Sequence, residues 1–173
     1  IYSIYNNIKV NDIDVFIRTE ELKLTLLTYF KSLPDLKDKY NHGLTLYIGR
    51  YMDRKLVITN NAITIGEYQI VLKDVGEPND VVGRFDFKHN MHWIENDEIK
   101  SVDDVYNLDT KILKFNNLRA RDVVGVLMRI PKFIDKGFEL DDKELGLILL
   151  QLNKVGFSDD ELNLLKHKPT STH

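Results

Sequence analysis

Four side chains that could hold a metal ion recur at steps of three in the segment FDFKHNMHWIE. They are Asp86, His89, His92 and Glu95. Imidazole and carboxylate ligands together suit zinc, manganese or iron. Steps of three drift by about 60° on a helix and alternate between the faces of a strand, so only a loop or a 3₁₀ turn would gather these side chains. We therefore expect no tightly bound divalent ion, and a polar loop anchored by Trp93 is the simpler interpretation.

A second set of side chains resembles the PD-(D/E)xK pattern of metal-dependent nucleases. Asp80 or Asp86 supplies the first acid, and Glu98 and Lys100 supply the E-x-K. The resemblance implies two carboxylates that hold a divalent metal and a lysine that assists the attacking water. The polar residues around the E-x-K instead indicate a loop and the start of a helix, so a metal-dependent nuclease is the alternative function.

The sequence contains no other pattern that is typical of an enzyme. It has no Cys, which excludes disulfides, thiolate zinc sites and Cys nucleophiles. It also lacks a phosphate-binding loop, a GxGxxG, a GxSxG and an HExxH. We therefore expect no catalytic residues, no cofactor and no small-molecule substrate. No apolar run approaches the roughly 20 residues of a membrane span, so we expect a soluble, cytoplasmic protein without a membrane partner.

Charge is distributed unevenly along the chain. The net formal charge is −3 overall, but residues 61–110 carry −7 and residues 111–138 carry +5. The basic block could contact phosphates, which makes a nucleic-acid-binding module a further alternative. Pairing with the acidic residues at 141, 142 and 144 explains it more simply. The block comprises Lys111, Lys114, Arg119, Arg121, Arg129, Lys132 and Lys136.

The acidic segment combines charge with aromatic side chains, as a protein interface does. Such anchors give affinity, and the surrounding charge steers a partner of opposite sign. We therefore predict a non-enzymatic protein-binding factor whose partner has a basic surface and which meets nucleic acid only through that partner. The predicted partner-binding residues are Trp93, Glu95, Asp97, Glu98, Asp103, Asp104 and Tyr106.

The composition suggests a source and hence a class of partner. The chain has only 2 Ala but 14 Asn, 16 Ile and 17 Lys, a bias typical of an AT-rich genome. We therefore expect a factor from a phage or mobile element of a low-GC bacterium that modulates a host protein. The expected target is the transcription machinery, such as RNA polymerase or its sigma factor, or the replication machinery.

These residues must be positioned by an α+β fold. Alternating apolar residues predict an N-terminal antiparallel β-meander with one or two helices, followed by a helical C-terminal part. The predicted domains are a mixed α+β sheet domain at 1–115, a helical subdomain at 116–168 packed on it, and a disordered tail at 169–173.

Local signals within this fold predict individual elements. Thr19 should cap a helix that ends before Pro34, and residues 8–10, 13–17 and 81–87 should be strands. Asn117 should cap the first C-terminal helix. Two capping boxes, at Asp141 and at Ser158, predict helices at 142–155 and 159–166.

Overall fold

The computed structural model confirms the α+β fold class. It describes residues 1–102, 108–117 and 122–167. The chain forms two compact units, one of residues 7–81 and one of residues 1–6 together with 82 onwards. The predicted domain limits at 115 and 116 stay a prediction, and the predicted tail at 169–173 lies outside the described residues. The elements in chain order are α1 (Tyr2–Tyr5), β1 (Ile13–Ile17), α2 (Glu20–Lys31), β2 (Lys37–Asn41), β3 (Leu44–Tyr51), β4 (Arg54–Ile58), β5 (Ala62–Ile65), β6 (Tyr68–Val75), α3 (Pro78–Val82), β7 (His92–Glu95), β8 (Glu98–Ser101), α4 (Val123–Asp135), α5 (Asp142–Val155) and α6 (Asp159–Lys166).

The unit of residues 7–81 is a six-stranded sheet in the order β1-β6-β5-β4-β3-β2. Strands β2 to β6 form the predicted antiparallel meander. Strand β1 joins the edge parallel to β6, which makes the sheet mixed. The predicted strand at residues 8–10 is wrong: those residues are exposed coil, and only Ile13–Ile17 find a partner strand.

Helix α2 covers one side of this sheet and confirms the predicted cap. The Thr19 hydroxyl accepts a hydrogen bond from the Leu22 amide at 3.1 Å. The helix ends at Lys31, three residues before Pro34. Phe30 is its buried anchor and packs in a cluster with the buried side chains Ile17, Leu56, Ile58, Ile63 and Leu72.

The predicted strand at residues 81–87 is wrong, because residues Pro78–Val82 form the short helix α3. Proline is favoured at the first helical position, where no amide hydrogen bond is lost. Val81 and Val82 are both buried, whereas neighbouring residues of a strand point to opposite faces.

The second unit has its own core, to which α4 and α5 both contribute. Its buried residues are Phe87, Leu113, Phe115, Val123, Val126, Phe138 and Ile148. Helix α4 is capped by Asp122, at φ +55°, and not by the predicted Asn117. Asp122 accepts the Gly125 amide at 3.1 Å.

Both predicted helices at the C-terminal end are confirmed with their limits. Asp141 caps α5 by accepting the Glu144 amide at 2.9 Å. The sequence predicted that the side chain of Glu144 would complete a capping box at α5. It instead accepts a hydrogen bond from the buried amide of Phe115 at 2.8 Å and so stabilises the core. At α6 the box is complete, since Ser158 and Glu161 accept each other's amides at 3.1 and 2.9 Å.

Candidate protein-binding site

The predicted partner-binding segment begins as a β-hairpin, which we call the acidic hairpin (residues 92–101). Strands β7 and β8 pair antiparallel, with His92 opposite Ser101 and Glu95 opposite Glu98. The two turn residues Asn96 and Asp97 have φ +52° and +63°. Two successive residues with positive φ are what a tight two-residue hairpin turn requires, and Asn and Asp tolerate that conformation well.

One face of the acidic hairpin carries Trp93, Glu95 and Lys100. A single oxygen of Glu95, Oε2, accepts hydrogen bonds from Trp93 Nε1 at 3.3 Å and from Lys100 Nζ at 3.2 Å. The indole is half-buried and packs against the cluster of Val82, Met91 and Val102. Trp93 therefore anchors the hairpin to its own unit and offers a partner only the remaining part of its surface.

The other face of the hairpin exposes an apolar pair that sequence reasoning missed. Ile94 and Ile99 lie directly opposite each other, and 52% and 42% of their surfaces are exposed. At the base of the same face, His92 Nδ1 and Ser101 Oγ are 2.6 Å apart in a partly buried hydrogen bond. The sequence signal for this face was the alternation of side chains along a strand. His92 and Ile94 are two positions apart, as are Ile99 and Ser101, so each pair points to one face of the hairpin.

The structure brings four of the seven predicted residues onto this one hairpin. Asp97 and Glu98 are exposed at its tip, as expected for charges that steer a partner. Glu95 and Glu98 are opposed like charges, which costs stability that Lys100 offsets by its contact with Glu95. Asp103, Asp104 and Tyr106 lie outside the described residues, so their part in the interface stays a prediction.

The four candidate metal ligands are used in other ways. Asp86 accepts a bidentate pair of hydrogen bonds from Arg129, at 2.6 and 3.1 Å. His89 is 4% exposed and lies among the rings of Tyr2, Phe87, Phe133 and Phe138. Across residues 1–102, 108–117 and 122–167, no three His, Asp or Glu side chains gather as a metal site would need.

Burial favours the neutral form of both histidines of this segment. Desolvation, with smaller effects from His92, Lys136 and the N-terminal amino group, lowers the pKa of His89 to about 3. The pKa of His92 is lowered mainly by burial as well. Within the part of the chain that the structure describes, His89 Nδ1 and His92 Nε2 find no hydrogen-bond partner.

The nuclease pattern is not supported by this arrangement. The guanidinium of Arg129 occupies both oxygens of Asp86, and Lys100 pairs with Glu95. Glu98 and Lys100 also point to the same face of a two-stranded hairpin whose turn directly precedes Glu98, where the sequence predicted a loop and a helix start.

Part of the basic block is neutralised inside its own unit. Lys114 Nζ lies 3.8 Å from Glu144 on α5, as the predicted pairing with the acidic residues of that helix requires. Arg129 pairs with Asp86 and Asp122 instead. Arg119 and Arg121 lie outside the described residues. These pairs reduce the charge that the block could offer to phosphates.

No helix among the described residues is long and apolar enough to cross a membrane.

Comparison with known proteins gives one informative match. No curated protein and no solved structure matches the chain. A family model described as "Gad2: Gabija anti-defense 2 family protein" matches residues 1–116, which include the six-stranded sheet and the whole acidic hairpin. Because this match spans well over half of the 173 residues, the chain belongs to the Gabija anti-defense 2 family.

Proposed function

We propose that this protein is a phage inhibitor of a host Gabija defence system and that it acts by binding a protein of that system. The observation that carries the proposal is the family match over residues 1–116. It supports the predicted host-directed factor from a phage, and it replaces the predicted target. The match gives no support to the transcription or replication machinery as the partner.

The acidic hairpin is the proposed contact surface. It lies entirely within the matched residues, whereas most of the basic block and all of α4 to α6 lie beyond them. Its tip carries the exposed acids Asp97 and Glu98, and the exposed pair Ile94 and Ile99 lies on the face of the hairpin opposite Glu98. The apolar pair supplies affinity and the acidic tip supplies steering, so the proposed partner surface combines an apolar contact with basic charge.

Inhibition by binding, without catalysis, is the mechanism that these residues support. Binding needs only the exposed hairpin, while Asp86 and Lys100 of the nuclease pattern are held in ion pairs with Arg129 and Glu95. We place this action in the host cytoplasm. A binding inhibitor acts in proportion to its concentration, whereas a nuclease would turn over and require a divalent metal.

The test is phage infection of bacteria that carry the Gabija defence, with and without expression of this chain. We expect the parent protein to restore phage growth, and a tagged copy to retain a defence protein in a pull-down. The double variant Asp97→Lys with Glu98→Lys should lose most of both effects. A control with the same change in charge at exposed sheet-unit positions, Asp12→Lys with Asp38→Lys, should behave as the parent.

The outcomes separate the parts of the proposal. Failure of the parent to restore phage growth would contradict the inhibitor function itself. Restoration by the hairpin variant at the level of the parent would remove the hairpin from the mechanism and leave the function standing. Cleavage of nucleic acid by the purified protein that stops when divalent metal is chelated would instead revive the nuclease alternative.

A further inference from the structure

The helical C-terminal end carries two apolar surfaces that its own fold does not cover. Helix α6 has no buried residue and joins none of the described core clusters. Its leucines at 162, 164 and 165 are 37%, 44% and 46% exposed. An eight-residue helix is too short to persist alone in water, and one capping box contributes only part of what it needs. The helix therefore requires a surface on which to bury these leucines.

The second uncovered surface is the outer face of α5, which comprises Lys143, Gly146, Leu147, Leu150 and Lys154. At 100° per residue these positions fall within one third of the helix circumference, on the side away from the buried Glu144 and Ile148. Leu150, at its centre, is 68% exposed. A lysine stands toward each end of this face, so it is apolar in the middle and basic at both ends.

Gly146 is a second sign that something packs against the outer face of α5. A glycine inside a helix lowers its stability relative to alanine. A Cβ added at Gly146 would meet no atom of the described residues within 4 Å, so none of them requires a glycine there. A glycine allows another helix to approach the backbone closely. A partner helix packed on this face would therefore explain why the position is a glycine.

We propose that the occupant is a second copy of this chain, in a two-fold dimer in which α6 of each copy packs on the outer face of α5 of the other. The charges match, because α6 begins with the exposed acids Asp159 and Asp160 and the α5 face is flanked by Lys143 and Lys154. Each copy contributes both surfaces, so a two-fold axis forms the contact twice and leaves neither surface open.

The test is the oligomeric state of the whole chain by sedimentation velocity over about a hundredfold range of concentration. We expect a reversible dimer. Leu150→Glu and Leu165→Glu should each raise its dissociation constant at least about tenfold. The matched control is Leu24→Glu on α2, where the leucine is 64% exposed and outside both surfaces. Gly146→Ala should raise the melting temperature of the monomer and weaken the dimer.

Charge exchange tests the choice of partner surfaces, and it also serves if a leucine variant fails to fold. Reversing Lys143 and Lys154 to Glu, or Asp159 and Asp160 to Lys, should each weaken the dimer, and all four changes together should restore it. A monomer at every concentration overturns the proposal, as does a dimer that tolerates both leucine variants. The measurement needs no defence protein, so its outcome is independent of the proposed function.

Discussion

Acid should destabilise this protein through His89, and the size of the effect follows from its burial. The folded state lowers the pKa of His89 from 6.5 to about 3, chiefly by desolvation. Folding thus favours the neutral ring. The free energy of unfolding that this preference contributes is complete above pH 6.5 and is lost as the pH falls toward 3. At about 1.4 kcal/mol per pH unit below 6.5, the loss is about 2 kcal/mol at pH 5 and about 5 kcal/mol near pH 3.

Urea titration at pH 7.5 and pH 5, followed by the fluorescence of Trp93, measures this loss. The parent should be about 2 kcal/mol less stable at pH 5. His89→Phe keeps an aromatic ring among Tyr2, Phe133 and Phe138 but cannot take up a proton, so most of the difference should disappear. His92 has a lowered pKa as well, so a smaller pH dependence should remain.

The matched variant is His167→Gln, which removes an exposed histidine just after α6 and so measures what the loss of a histidine outside the core does to stability. A His89→Phe protein that loses as much stability as the parent between pH 7.5 and pH 5 would refute the reasoning. So would a parent whose free energy of unfolding is the same at both values.

Further predictions concern the helices, the core, the acidic hairpin and metal. Asp141→Ala and Ser158→Ala should each cost about 0.5–2 kcal/mol in denaturant titration, by loss of an N-cap, and unchanged midpoints would contradict the assigned caps. Glu144→Leu should cost about 1–3 kcal/mol because it leaves a buried amide unpaired, whereas Glu144→Gln, which keeps an acceptor, should cost less. Asp97→Lys with Glu98→Lys should slow association with the partner several-fold at low salt, and surface plasmon resonance should show the difference shrinking as salt rises. Elemental analysis should find no stoichiometric zinc or manganese.

The features that the sequence predicted best depend on residues close together in the chain. The helices after Asp141 and Ser158 and the helix after Thr19 begin and end where their caps indicate. A capping hydrogen bond joins residues two or three positions apart, so its signal is complete within a few letters. Glu144 shows the limit of such signals, because its partner Phe115 lies 29 residues away.

The features that the sequence did not predict depend on distant pairing. Strand β1 lies beside β6, more than 50 residues later, and nothing within Ile13–Ile17 specifies the direction of that partner. The candidate site was predicted from its composition, and its hairpin was missed because the polar residues around Glu98 and Lys100 are also typical of a loop and the start of a helix. Asn96 and Asp97 were the overlooked signal, since both residue types suit a turn with positive φ.

The division of the chain makes the sheet an insertion, with consequences for synthesis and for engineering. Residues 1–6 belong to the second unit, where the Tyr2 hydroxyl donates to the carbonyl of Thr110 at 2.9 Å and Asn6 Nδ2 donates to that of Leu108 at 2.6 Å. During translation, residues 1–6 are made before the sheet, and their partners Leu108 and Thr110 are made after it. The sheet can therefore fold before residues 1–6 form their hydrogen bonds. Deleting residues 1–6 should therefore lower the stability of the second unit, whose other residues begin only at residue 82. Because residue 6 before the sheet segment and residue 82 after it both belong to the second unit, replacing residues 7–81 by another sequence would create no new terminus.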